Sequence, residues 1–326
     1  MIFLIQKTLI FTIPLLIVAL AGMYAERSGI INIALDGLMI FGAFVGALAA
    51  LLLRKNPFFV DHNQLTFILA MLVAAAAGVL FSLLLSFSAI RLQADQTIGG
   101  TALNMLAPAL AIVLTWVVQG QGQTTILIPT WSRITQENFG LQLESQFLQN
   151  LLFKNMYLTT FLTILLFAVA VVLLYKTKFG LRLRSCGEHP QAADSVGINV
   201  YKMRYAGVLI SGFLGGVGGL AFTLAAGSGF QSSVAGYGFL ALAVMIFGNW
   251  KPWSILGASL FFALFKVIGA YASSIPFMPQ FKGVEGVSTY LYPMLPYIIT
   301  MILLILTSKK SRAPKAEGIP YEKGQR

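Results

Sequence analysis

Apolar residues fall along this chain in long uninterrupted runs, not in the alternation of a water-soluble helix. Nine runs stand out, at residues 3–25, 33–53, 66–90, 101–119, 156–175, 205–226, 236–249, 253–272 and 289–307. Met156 to Tyr175 carries no charge, and Tyr205 to Trp250 contains no Asp, Glu, Lys or Arg. A helix rising about 1.5 Å per residue needs about 20 apolar residues to cross the hydrocarbon core of a bilayer. The pattern therefore predicts an all-α polytopic membrane protein with about nine (eight to ten) transmembrane helices.

Two of the spans look broken. Glu26–Gly37, ERSGIINIALDG, puts Asn32, Asp36 and two glycines at the mouth of the second run, and Gly227–Gly238, GSGFQSSVAGYG, does the same before the seventh. Irregular polar backbone persists at membrane depth only where protein covers it or where it lines a water-filled cavity. The long helices before these stretches are the first and the sixth, so they run in opposite directions. That arrangement points to an inverted repeat with broken helices and a binding site near the repeat interface; ordinary loops after helix breaks are the plainer reading.

The longest polar segment between apolar runs is Gly180 to Arg204, GLRLRSCGEHPQAADSVGINVYKMR. Lys176, Lys178, Arg182, Arg184, Lys202 and Arg204 place it in the cytoplasm by the bias of Lys and Arg toward cytoplasmic loops. Parity then puts the N-terminus outside and the tail from Ser308 inside, with fifteen basic residues inside and six outside. Arg54 and Lys55 fall on the wrong side of that map. Ser185 to Asp194 can start a short helix, with Pro190 in its first turn and Gly197 as a stop. Such a helix, presenting Glu188 and Asp194, suits a grip by another protein; a plain basic loop is the alternative.

Composition agrees. The chain has 326 residues, 57% hydrophobic and 10% charged, against about 25% charged in soluble domains, and its mean hydropathy is +0.81. The net charge of +11 comes from loops beside apolar spans, so no nucleic-acid partner is needed to explain it. One cysteine, Cys186, excludes an internal disulfide. The segment 120–155 is the sizeable extracytoplasmic piece, and SQFLQNLLFKNMYL near its end has the spacing of an interfacial helix. Trp116 and Trp131 suit an interfacial belt. Residues 1–307 form the transmembrane domain, with 180–204 as its cytoplasmic coupling segment. Residues 308–326, rich in Lys, Pro, Gly and Glu, read as a disordered cytoplasmic tail.

The chain contains no G-x-x-x-x-G-K-S/T sequence and no H-E-x-x-H, so it lacks the usual phosphate loop and zinc-protease motif. GVGGLA at 216–221 fits a relaxed dinucleotide fingerprint but lies inside an apolar span, with no acid before Glu285. Gly42 and Gly46, Gly212 and Gly216, and Gly215 and Gly219 are each four apart, the spacing of closely packed membrane helices. Asp36 and Lys266 are the ionisable groups within spans, and each must face the bundle or water. Asn32, Asn104 and Gln231 complete a candidate polar pathway with them. Amides offer both donors and acceptors and suit hydroxyl-rich or heterocyclic solutes; hydrogen bonds that only fix helix packing are the other reading.

Three blocks together resemble the inner-membrane permeases of bacterial ABC importers for branched-chain amino acids, ribose and simple sugars, nearest the nucleoside and simple-sugar group. Gly180–Tyr201 is similar to a cytoplasmic loop of the form G-x-x-x-R-x-x-G-x-(D/N)-P-x-A-A-x-x-x-G-I, with His189 where Asp or Asn is common. Glu26–Gly37 is similar to an E-x-x-G-x-(I/V)-N-I-x-x-(D/E)-G block, and Gln96–Ala107, QTIGGTALNMLA, to the block before the fourth span. The resemblance covers about Glu26 to Thr307. It implies a non-enzymatic subunit of the bacterial inner membrane that carries a small polar solute, first of all a nucleoside. A cytoplasmic ABC ATPase would bind ATP and Mg in this chain's place and grip Gly187, Glu188, Pro190, Ala192, Ala193 and Gly197. An extracytoplasmic solute-binding lipoprotein and a second permease subunit, homologous or identical, complete the expected assembly. A gradient-driven secondary transporter is the rival from sequence alone.

Overall fold

The computed structural model describes residues 2–127, 158–227, 229–272, 287–307 and 312–323. Twelve helices occur among them: α1 Ile2–Arg27, α2 Leu35–Leu53, α3 Pro57–Asp61, α4 Asn63–Ile90, α5 Gln96–Gln119, α6 Leu158–Tyr175, α7 Lys178–Glu188, α8 Pro190–Ser195, α9 Val200–Ala226, α10 Tyr237–Phe247, α11 Pro252–Tyr271 and α12 Val287–Thr307. Seven of these (α1, α2, α4, α5, α6, α9 and α11) are long and apolar enough to cross a membrane. The seventh predicted run is shorter than expected. It forms α10, an 11-residue helix of about 16 Å at 1.5 Å per residue, too short to span alone. Of the sequence SQFLQNLLFKNMYL all but its last residue, Leu158, lies outside the described residues, as does Trp131.

The core is built on glycine. A Cβ on Gly42 would lie 2.3 Å from the Gly216 Cα, one on Gly78 2.1 Å from the Gly212 carbonyl oxygen, and one on Gly219 2.0 Å from the Met39 carbonyl oxygen. These contacts seat α9 against α2 and α4 backbone to backbone. Lipid tails are as apolar as leucine, so helices in a bilayer associate through close packing rather than through expulsion of water. The small-residue spacing read from the sequence is the seam of the bundle. α1 is buried along nearly its whole length, with Leu15, Val18, Ala21 and Met23 inaccessible, and Gly218 of α9 fits against Val18.

The elbow between α6 and α9 differs from the single short helix expected. It is two helices, α7 and α8, parted at His189 (φ −150°, ψ 83°). Pro190 at the start of α8 disfavours helical geometry at the residue before it, which sets the break. His189 makes no side-chain cap, as a residue without a short carboxylate or amide at that position would not. Gly197 (φ +82°) ends the elbow in a conformation other residues adopt at a cost. Asn199 caps α9 by accepting from the Lys202 N–H at 2.9 Å.

The tail is a second departure. Residues 312–323, expected to be disordered, lie against the elbow, with Ala316 and Tyr321 buried.

Candidate functional site

The irregular stretch between α1 and α2 is the point where the three sequence blocks meet. α1 ends at Arg27, and Gly29 (φ +97°) turns the chain tightly, with its N–H bonded to the Glu26 carbonyl at 2.9 Å. Residues 28–34 then run without helix to α2. Their backbone groups need partners, and side chains from distant elements supply several. The Ile31 N–H donates to Gln96 Oε1 at 2.7 Å. Asn104 does two jobs: its Oδ1 accepts from the Gly37 N–H at 2.7 Å and its Nδ2 donates to the Ile33 carbonyl at 2.8 Å. Both residues come from the QTIGGTALNMLA block. Gly100 of the same block lets α5 approach, since a Cβ there would lie 3.1 Å from Ile33.

Glu26 is the hub of the corner. Its buried carboxyl accepts from the Trp250 indole N–H. Trp250 can reach it because Asn249 and Trp250 both adopt left-handed backbone (φ 54° and 53°) after α10. The Arg27 guanidinium donates to the Trp250 carbonyl at 3.0 Å and stands 3.5 Å from Glu188 Oε1. The elbow touches this corner directly: a Cβ on Gly187 would lie 2.4 Å from the Arg27 carbonyl oxygen.

The expected coupling residues divide by exposure. Gly187, Pro190 and Ala193 are buried, so they shape the elbow, whereas Glu188, Ala192 and Gly197 face outward. The outward side also carries Val196, 73% exposed, an apolar residue that has no packing reason to sit there. Cys186 is buried, and burial pushes its thiol up to about 11, which keeps it protonated at neutral pH.

The expected pathway residues divide too. Asn32 Nδ2 donates to Ser211 Oγ at 2.8 Å, tying the corner to α9. Asp36 Oδ1 accepts from the Gly238 N–H at 2.8 Å, so the first turn of α2 caps the first turn of α10. The two broken stretches meet there, where a Cβ on Gly238 would lie 2.3 Å from the Asp36 Cα. Asn32, Asp36 and Asn104 are thus engaged in holding helix ends. Gln231 is exposed. Lys266 lies 5.9 Å and 5.7 Å from the Tyr237 and Tyr297 ring centroids, and the Tyr297 hydroxyl donates to the Ala235 carbonyl.

Glu26, Gln96 and Trp250 are not among the candidate residues that the sequence marks. Glu26 and Gln96 stood in two of the quoted blocks. Each is a polar group at the end of an apolar run, a signal that would have marked both. Trp250 carried no such signal, because its role depends on a backbone turn. Among the described residues no group of three or more His, Cys, Asp or Glu could hold a metal ion.

An apolar bundle fastened at its irregular corners by buried hydrogen bonds, with an exposed elbow beside one corner, is the construction of a multi-pass membrane protein. Residues 4–307 match the family described as branched-chain amino acid transport system / permease component, and the chain belongs to that family. It is 40% identical to the guanosine ABC transporter permease protein NupQ of Bacillus subtilis over 99% of this chain and 97% of that protein. It is 39% identical to the nucleoside ABC transporter permease protein NupC of Lactococcus lactis over 98% and 97%. A putative glucose ABC transporter permease of Haloferax volcanii is 27% identical over 89% and 87%. No solved structure matches the chain significantly. The protein is accordingly a multi-pass membrane permease and a non-enzymatic transport component, and a permease of this kind works with an ATPase and a solute-binding protein.

Proposed function

We propose that this chain forms the translocation pathway for a nucleoside in a bacterial inner-membrane ABC importer. An extracytoplasmic lipoprotein delivers the solute, a second permease subunit of the same family completes the pathway, and a cytoplasmic ATPase drives it. The elbow and the C-terminus lie in the cytoplasm. Two full-length relatives whose names specify guanosine and nucleosides support the substrate class. The observation that carries the mechanism is the seating of Gly187 on the Arg27 carbonyl. The outward residues Glu188, Ala192, Val196 and Gly197 meet the ATPase, while the buried face of the same elbow rests on the corner that holds Asn32 and Asp36. A push on the elbow reaches the helix ends without an intervening loop. Only contacts that differ between two states can drive a change between them, and a rigid elbow supplies such contacts.

Within the bundle, Asn32, Asp36 and Asn104 hold the pathway's shape, while Gln231 and the Lys266–Tyr297 pair meet the solute. Aromatic rings and an amide suit a nucleoside, which offers a flat base to stack on and polar edges to bond. The two broken stretches, which meet at Asp36 and Gly238, form the interface of an inverted repeat.

The test is uptake of labelled guanosine into proteoliposomes holding the permease pair, the ATPase and the receptor. Ala192→Arg, on the outward face, is expected to leave protein abundance unchanged and cut uptake by roughly tenfold or more, equivalent to about 1.4 kcal/mol of lost coupling. Unchanged uptake in that variant removes the elbow from the mechanism. Uptake that ignores ATP and collapses with the proton gradient establishes the secondary-transporter alternative.

A further inference from the structure

The sequence around Lys315–Lys323 has the composition of a disordered tail, yet residues 312–323 are bonded to four separate parts of the protein. The Ala316 N–H donates to the Gly187 carbonyl of the elbow at 2.8 Å, and the Gly318 N–H to the Gly29 carbonyl of the corner at 3.1 Å. The Ile319 carbonyl accepts from Arg204 Nη1 of α9 at 2.9 Å. The Arg312 N–H donates to Asn249 Oδ1 beyond α10 at 2.8 Å. Tyr321 enters a buried cluster with Cys186 of α7, Ala193 of α8 and Val200 of α9. Its ring stands edge-on to Tyr201 with centroids 5.3 Å apart, and the Arg204 guanidinium lies 5.9 Å from its centroid.

Two features show that the rest of the fold is shaped to receive this segment. Arg204 is 1% exposed, and among the described residues its Nε and Nη2 have no hydrogen-bond partner. The tail carbonyl is therefore a main source of compensation for a buried cation, which is costly when left alone. Gly29 and Gly318 leave room at the crossing: a Cβ on Gly29 would meet the Ala316 carbonyl at 3.3 Å, and one on Gly318 would meet Ile31 at 2.7 Å. The carboxyls of Glu26 and Glu317 lie close enough to influence each other, which brings the tail to the buried hub of the corner.

We propose that residues 312–323 are a fixed strut that positions the energy-coupling elbow, joining α7–α8 to the α1–α2 corner and to α9 so that all three move as one body. This rests on the reading of α7–α8 as the face met by the ATPase. The strut touches no solute and stays seated through the cycle. Without it the elbow keeps its direct contact at Gly187 but loses the second fastening, so displacement by the ATPase is spent in rotating the elbow.

Cys186 is the chain's single cysteine and lies buried in the Tyr321 cluster, so its alkylation reports whether the strut is seated. The intact chain, a chain ending at Ser311 and Tyr321→Ala are compared in the assembled complex. Labelling of Cys186 by N-ethylmaleimide is expected to accelerate at least about tenfold in both variants, as for a site freed from local protection. Nucleoside taken up per ATP hydrolysed is expected to fall about fivefold or more, with hydrolysis itself retained. Equal labelling in all three proteins means that the segment is not seated and overturns the proposal. Faster labelling with unchanged uptake per ATP also overturns it, because the segment is then only a cover. Where truncation lowers the yield of folded protein, Tyr321→Ala, outside the helices, carries the test. Should uptake by the intact complex need no ATP, the importer reading fails by itself, while the labelling result still reports on the seating.

Discussion

The two irregular corners of this protein, residues 28–34 and 227–236, read alike along the chain: glycines, small polar residues and a following apolar helix. They are built differently. In the first, Glu26, Ser28 and Asn32 are buried and side chains from α5, α9 and the turn after α10 bond to it. The second leaves Gln231, Ser233 and Ala235 exposed. It is held by a lone β-bridge between Ile126 and Phe230, by Ser232 donating to the Thr124 carbonyl, and by Tyr297. Its path depends on left-handed backbone at Ser232, Ala235 and Gly236 (φ 57°, 51° and 70°). The difference teaches that an irregular stretch before an apolar helix can be braced from several helices or left partly open, and that cross-bracing decides which.

The comparison is broken most directly at Glu26. Glu26→Ala deprives the Trp250 indole of its buried acceptor, at about 1–3 kcal/mol for the orphaned donor. Unfolding of the detergent-purified variant, followed by tryptophan fluorescence, is expected at a markedly lower temperature than that of the wild type. An unchanged midpoint would place the two corners on an equal footing. Gln231→Ala, in the second corner, sharpens the contrast from the other side. It is expected to shift stability by less than about 0.5 kcal/mol, as for other exposed positions, while raising the solute concentration needed for half-maximal uptake.

The smallest expected effect is a pH dependence where the first corner meets the tail. Burial pushes the Glu317 carboxyl up to about 7, against the opposing pull of the neighbouring Glu26 side chain and the Arg27 charge; Glu188, paired with Arg27, is also nearby. A carboxyl whose folded value is raised favours the seated state at low pH and loses that contribution as pH rises through the folded value. Seating of residues 312–323 is therefore expected to weaken from about pH 5 to pH 8. The size is modest, because Glu317 is partly open to solvent. The ratio of Cys186 labelling rates between wild type and Glu317→Gln cancels the thiol's own pH dependence. A ratio that stays flat across this range removes Glu317 from the seating.

Local regularities settled much of this protein in advance. Seven of the nine apolar runs correspond to helices long and apolar enough to cross a membrane, because a bilayer imposes length and composition on each span separately. Glycines four apart marked the α2–α4–α9 seam, since absence of a side chain is itself the packing surface. Gly197 marked the stop after α8, because glycine takes up left-handed backbone whatever surrounds it; the break before Pro190, inside the single helix expected from Ser185, was not foreseen.

Tertiary structure alone decided the rest. Asn32, Asp36 and Asn104 looked equally available for solute in the sequence, and the fold engaged all three at helix ends, because their partners Ser211, Gly238 and Gly37 lie up to 202 residues away. The tail shows the same limit most plainly. Its composition describes how little apolar surface it could bury by itself, whereas its order comes from open carbonyls at Gly29 and Gly187 and a buried guanidinium at Arg204, groups that become neighbours only when α1, α7 and α9 have come together.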